Sequence, residues 1–255
     1  MAKVHRTIRV LGAALTALVL APGCSHAAAT KYEPNIPIAR LSQVPPSELG
    51  DVKAQQAQLD NARQTLAQAS REAADAKSQL QLAKSSYDLA KSQVKEQKQR
   101  AKMSSRQLAP GAEQRAAQEG PGAYPPVSDL YAAELKQQAA KLRVAYLEKL
   151  KDYAEARRDV ADRLVGYNQA KLDQTVYGAL QRTRPEEAAA LQHRGAWFAN
   201  KVTERQSDLA DARAHMDKKR GEATQRFDSW QAAFAKVRPA DRGAAVPAPD
   251  SLPPL

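Results

Sequence analysis

Few side chains in this sequence are placed to do chemistry. It holds one cysteine, Cys24, and four histidines. A lone thiol can be a nucleophile, a metal ligand or the acceptor of a covalent modification, but it cannot close a disulfide within its own chain. His5 and His26 lie near the start of the chain. His193 and His215 stand 22 residues apart, about 33 Å along a helix, so they cannot share a metal ion. No HExxH, GxSxG, CxxC or Gly-rich phosphate loop occurs. Carboxylates are plentiful but alternate with bases, as Glu148 and Asp152 do with Lys149 and Lys151, the pattern of solvated helix faces. Catalytic carboxylate pairs need converging walls that shift their pKa values, and a thin helical rod offers few. Neither an enzyme nor a cofactor is expected.

The context of Cys24 gives it a different chemistry. Lys3, His5, Arg6 and Arg9 form a positive leader, and Val10 to Ala21 is an apolar run interrupted by Gly12 and Thr16. This is the order of an export signal, expected over residues 1–23. As a helix of about 18 Å the run falls short of a ~30 Å hydrocarbon core, so a permanent span is not expected. Ala21-Pro22-Gly23-Cys24 resembles the lipobox of bacterial lipoprotein precursors. The resemblance implies cleavage before Cys24, acylation of its thiol and amine (palmitate among the chains), and a place in the outer membrane facing the periplasm, since Ser25 and not Asp follows. Three acyl chains, each adding ~0.8 kcal/mol per buried CH₂, would make such an anchor permanent. Ala27-Ala28-Ala29 is a competing A-x-A site, and cleavage after Ala29 would release a soluble periplasmic protein.

The formal charge is +11; the leader carries Lys3, Arg6 and Arg9 and no acid, so removing it subtracts three and leaves +8. A basic cytoplasmic protein would suggest nucleic acid. Export, with neither an RNA-binding motif nor zinc-ligand spacing, excludes it here. Anionic lipid headgroups, lipopolysaccharide phosphates or an acidic partner fit better. Aromatics at 5% leave little for a thick core, and the abundance of Ala, Gln, Lys, Glu and Leu is that of long helices.

The periodicity predicts an all-α fold of three long helices forming an elongated antiparallel coiled coil or helical bundle. Residues 24–46, with Pro34, Pro37, Pro45 and Pro46, read as an anchor and Pro-rich tether. Helix one is expected over 47–108, with Ser47 as N-cap and Glu48 and Asp51 set against the helix dipole. Val52, Leu59, Leu66, Ala73, Leu80, Tyr87, Val94 and Ala101 recur every seven residues, and Ala62, Ala69, Ala76, Ala83 and Ala90 follow the middle members by three. These are a and d positions of heptads, and alanine at d invites a close neighbour. The helix ends in a basic cluster of Lys91, Lys95, Lys98, Arg100, Lys102 and Arg106. That cluster serves the helix dipole and a solvated face, with contact to an anionic surface as the sharper alternative.

Residues 109–127, rich in Pro and Gly, read as a loop. Helix two is expected over 128–182, opened by Ser128-Asp129, with Ala132, Ala139, Tyr146, Tyr153, Val160 and Tyr167 in its seam and the tyrosines as core. Leu150 and Leu164 take over the seam one residue late, which suggests a stutter. Helix three is expected over 183–238, entered through a Thr183–Glu186 capping box with Pro185 in the first turn. It carries an apolar face from Ala188 to Val237, and the short break lets it either fold back as a hairpin or continue as one kinked rod, the similar lengths favouring the hairpin. Helix one would pack on that hairpin or on a second subunit. Residues 239–255, with Pro247, Pro249, Pro253 and Pro254, read as a disordered Pro-rich tail.

The resulting expectation is a lipid-anchored coiled-coil protein of the bacterial cell envelope with a structural, spacer or scaffolding role. Its partners would be the membrane, through the N-terminal lipid, and other envelope proteins or peptidoglycan, with homo-oligomerisation through helix one. The plan is similar to small murein lipoproteins in its lipidated cysteine and heptads. It departs from them in length, in its three helices and in lacking their C-terminal Lys, so covalent attachment to murein is not expected. The alternatives are a periplasmic adaptor of an efflux or secretion assembly, or a helical client-binding sensor or chaperone.

Overall fold

The structure is a computed structural model and describes residues 36, 42, 44–107, 125–242 and 246–252. All of them belong to one unit, Tyr32–Leu255. Four helices follow in order: α1 (Leu49–Gln107), α2 (Pro125–Thr183), α3 (Pro185–Ala189) and α4 (Gly195–Ala235). No strand occurs among the described residues. The helices α1 and α2 have 59 residues each and α4 has 41, or about 88 and 60 Å at 1.5 Å per residue.

The neighbours run antiparallel. Gln55 meets Asn168, Glu72 meets Arg157, Lys84 meets Glu148 and Lys98 meets Glu134, so the numbers fall along α2 as they climb along α1. The same reversal relates α2 to α4 through Tyr177–Phe198, Arg163–Asp208 and Lys149–Glu222. The chain is therefore a helical bundle in which α2 is the middle member, packed along α1 and along α4. The heptad seam of α1 is occupied by α2 of the same chain. Val52, Leu59, Ala62, Ala69, Ala73, Ala76, Leu80, Ala83, Ala90 and Val94 are all buried, as the a/d assignment predicts.

Because α2 has two neighbours, it needs two apolar stripes. Tyr146, Val160 and Tyr177 turn toward α4, where they meet Phe227 and Trp230, Leu209, and Phe198 respectively. Ala154 meets Ala73 and Ala76 of α1. Leu147, Ala154 and Ala161 follow the tyrosine stripe by one residue and are fully enclosed. The one-residue drift expected to mark a stutter is this second stripe. Tyr146 and Tyr153 are buried in the core, as expected from their spacing, whereas Tyr167 of the same series is half-buried; Tyr177, outside that series, is buried as well.

Several boundaries differ from the sequence reading. The helix α1 begins at Leu49, after a turn in which Glu48 N–H donates to Pro45 O at 3.0 Å. Glu48 is committed to Arg182 at the far end of α2. The helix α2 begins at Pro125 and not at Ser128, since proline suits a first turn whose N–H groups have no intrahelical acceptor. The Thr183 capping box does not form: Thr183 Oγ1 donates back to Ala179 O at 2.7 Å, and Arg184 is the N-cap of α3 without a side-chain cap bond. The expected third helix is interrupted between Ala189 and Gly195. The break turns the chain so that Ala188 and Leu191 enter the same cluster as Phe198, and a Cβ on Gly195 would come within 3.0 Å of Tyr177 Cε1.

The largest correction concerns the ends. Ile36 and Val44, in the expected tether, are buried against α1 and α2. The tail, expected to be disordered, returns along α4 in its described part. Val246 and Leu252 join the cluster of Tyr146 and Trp230. Tyr146 Oη donates to Pro247 O, and Arg220 Nη2 and Nε contact Asp250 Oδ1 at 2.8 and 3.0 Å. Proline restricts the unfolded chain, so little entropy is lost when this segment is laid down. The expected leader, Cys24 and residues 109–124 of the loop expected over 109–127 lie outside the described residues.

The seam between α1 and α2 also contains a charge pair. Arg157 and Glu72 are only 5% and 14% exposed at their side chains, with Nη2–Oε2 at 3.1 Å. Removing one member of a buried pair takes the counter-charge from the other. Glu72→Ala should therefore cost about 3–5 kcal/mol in urea unfolding, while Glu72→Leu with Arg157→Met should recover most of that loss.

Candidate functional site

The expected basic cluster separates into two faces once it is placed on α1. Lys91, Lys95, Lys98 and Lys102, at steps of four and three, share one face together with Lys84, whereas Arg100 lies round the other side. The lysine face runs beside α2: Lys84 pairs with Glu148 at 3.4 Å and Lys98 with Glu134 at 3.1 Å. Arg100 pairs with Glu96 at 2.6 Å on its own helix. Lys91 and Lys95 are exposed. Arg106 lies in the last turn of α1. The cluster thus contributes to the electrostatic flank of the α1–α2 seam. These exposed pairs each contribute little to stability, up to about 1 kcal/mol.

The opposite flank of the same seam holds a feature that sequence reading missed. Between the second half of α1 and the end of α4 lies a groove of ≈ 320 Å³. Ser86, Leu89, Ala90 and Gln93 form one wall, and Trp230, Phe234 and Val237 the other. Its floor is α2, through Ala139, Ala140 and Arg143. The cause is local. Ala83, Ala90, Ala139 and Ala140 let the backbones approach but do not fill the space beside the rings of Trp230 and Phe234, whose centroids are 5.1 Å apart. Leu89 on the rim is 62% exposed, and Leu82, one heptad earlier, is 71% exposed.

At the floor of the groove lies a half-buried cation, Arg143. Arg143 Nε is buried with no hydrogen-bond partner, and burial lowers the guanidinium's pKa from its ordinary value. Of the other charges at the groove, Asp241 and Arg242 are engaged, and Lys136 also lines it. Asp241 accepts from Arg238 Nε at 2.8 Å. Arg242 donates to Val237 O and Ala235 O, both at 3.0 Å, and lies 5.7 Å over the Phe234 ring. A largely apolar trough with the half-buried Arg143 at its floor is a binding arrangement.

The other candidates stay apart. His193 stacks on Trp197 at 3.8 Å where α4 begins, and His215 is exposed farther along α4. Among the described residues no group of His, Cys, Asp or Glu could hold a metal ion, and no helix is long and apolar enough to cross a membrane. The groove was illegible because Ala83, Ala90 and Ala139 read as members of ordinary heptad seams, and its far wall depends on where α4 ends.

Tyr146 joins the groove's neighbour Trp230, at 6.1 Å between stacked rings, to the returning tail. Burial raises its phenol well above the ordinary 10.0. The folded state therefore keeps the proton at pH values where the unfolded state loses it, and this contribution is complete below about pH 10 and declines above it. Tyr146→Phe should lower stability by about 1 kcal/mol at pH 8, and its deficit relative to the parent should shrink above pH 10 in urea titrations. A deficit that stays constant through pH 11 would contradict the role assigned to burial.

The chain matches no protein-family model, no curated protein and no solved structure.

Proposed function

We propose that this is an exported, lipid-anchored coiled-coil protein of the bacterial cell envelope, acting as a structural spacer or scaffold and not as an enzyme. The observation that carries the reading is the pairing of α1 with α2, two helices of 59 residues, joined lengthwise through an alanine-rich seam. Such a pair has the reach of a spacer, about 88 Å along each helix, and its surface offers charged flanks for other envelope components. The leader and Cys24 supply the means of attachment. Cleavage before Cys24 and acylation would place the protein at the outer membrane facing the periplasm, with cleavage after Ala29 as the soluble alternative.

Two measurements test this. In bacteria producing the full chain, labelled palmitate should enter the parent and not Cys24→Ala, and equal labelling of both would reject the anchor. Crosslinking in the native envelope should recover outer-membrane or peptidoglycan-associated neighbours. Recovery of efflux or secretion components alone would replace the spacer reading with that of an adaptor.

A further inference from the structure

We infer that the groove between α1 and α4 binds a long-chain carboxylate, with the hydrocarbon against Trp230, Phe234 and Leu89 and the acid at Arg143. The inference is independent of the anchoring of Cys24, because it rests on the bundle alone. Three observations carry it.

The first is charge. Arg143 lines the groove, its Nε is closed to solvent without an acceptor, and no acid among the described residues pairs with it. Partial burial disfavours the charged form, and a guanidinium takes a carboxylate through paired N–H donors. The only carboxylate on the lining, Asp241, is held by Arg238. Two of the Arg242 donors go to backbone carbonyls, and Lys136, also on the lining, stands two turns from Arg143, about 10 Å along α2. The lining therefore carries an excess of positive charge, with Arg143 at the floor, which suits an anionic head group.

The second observation is the lining. Ala83, Leu89, Ala90, Ala139, Trp230 and Phe234 make most of the lining apolar, with Ser86 and Gln93 as its polar members on α1, so a chain finds more to cover than to hydrogen-bond. The third is size. The groove's ≈ 320 Å³ falls at the small end of the roughly 300–1,000 Å³ of ligand sites. One turn of helix, about 10 Å across and 5.4 Å long, displaces roughly 400 Å³. A partner helix or a second copy of the chain would therefore rest on the rim, whereas a single acyl chain can enter.

The groove contains its own reporter, since Trp230 is one of only two tryptophans. In the full chain carrying Trp197→Phe, Trp230 fluorescence should change saturably with dodecanoate below its micellar concentration. Dodecanol and dodecyltrimethylammonium should bind at least about tenfold more weakly, the usual scale of a charge-assisted hydrogen bond. Arg143→Gln should remove the preference for the acid while leaving dodecanol binding in place. Leu89→Gln, on the exposed rim, should weaken acid and alcohol together and serves if Arg143→Gln fails to fold by circular dichroism. Equal affinity for acid and alcohol, or no saturable change with dodecanoate, overturns the proposal. So does an acidic amphipathic peptide that binds where dodecanoate does not, or a dimer in sedimentation that Leu89→Glu dissociates.

Discussion

The bundle depends on one geometric demand placed on α2: it must bury apolar surface toward α1 and α4 at once. A helix facing a single neighbour needs one stripe, about 100° wide. With two neighbours it needs a second stripe, and α2 obtains one by repeating Tyr146, Tyr153 and Val160 one residue later as Leu147, Ala154 and Ala161. The size difference between the stripes then sets the two seams apart. Aromatic and branched residues face α4, where Tyr146 meets Phe227 at 5.2 Å between ring centroids. Alanine faces α1, where Ala154 meets Ala73 and Ala76. One seam is thick and ring-filled, the other thin.

The thin seam explains the polar residues inside it. Alanine on alanine buries little area and fixes register weakly, because sliding by a heptad exchanges like for like. Arg157 with Glu72, and Asn168 accepting from Gln55 at 3.3 Å, break that equivalence, since any other register leaves a buried charge or amide unmatched. The same economy of side-chain volume produces the groove. Where the alanines of α1 and α2 continue beside the end of α4, the rings of Trp230 and Phe234 cover only part of the gap.

Much of this was legible in the sequence for a stated reason. The a and d residues of α1 were found because a straight seam keeps a constant period over fifty residues, and the tyrosines of α2 were assigned to the core on the same ground. The second stripe of α2 was seen but read as drift, since a single sequence shows a displaced period without saying what lies on the other side. The break before α4 was missed because Ala188, Leu191, Gly195 and Phe198 keep helical spacing across a link that is not helical. The tail was misread from composition. Val246 and Pro249 become buried only because Tyr146 and Trp230 present a surface to them, a fact about distant parts of the chain. For the site, the lysine cluster was visible as a run of like charges, but its acidic partners on α2 were not. Arg143 carried no local signal.

The returning tail also has a mechanical meaning. It runs back along α4, so that Asp250 reaches Arg220 and Pro247 reaches Tyr146, well before the end of that helix. Tension applied at the C-terminus would act first on this strap. It would open the Asp250 pair, then the bond at Pro247, then the burial of Val246, in sequence and not together. Peeling of this kind proceeds at low force, one contact at a time, while the seams between the long helices stay unloaded until the strap is spent. The chain thereby has a compliant end attached to a long packed middle.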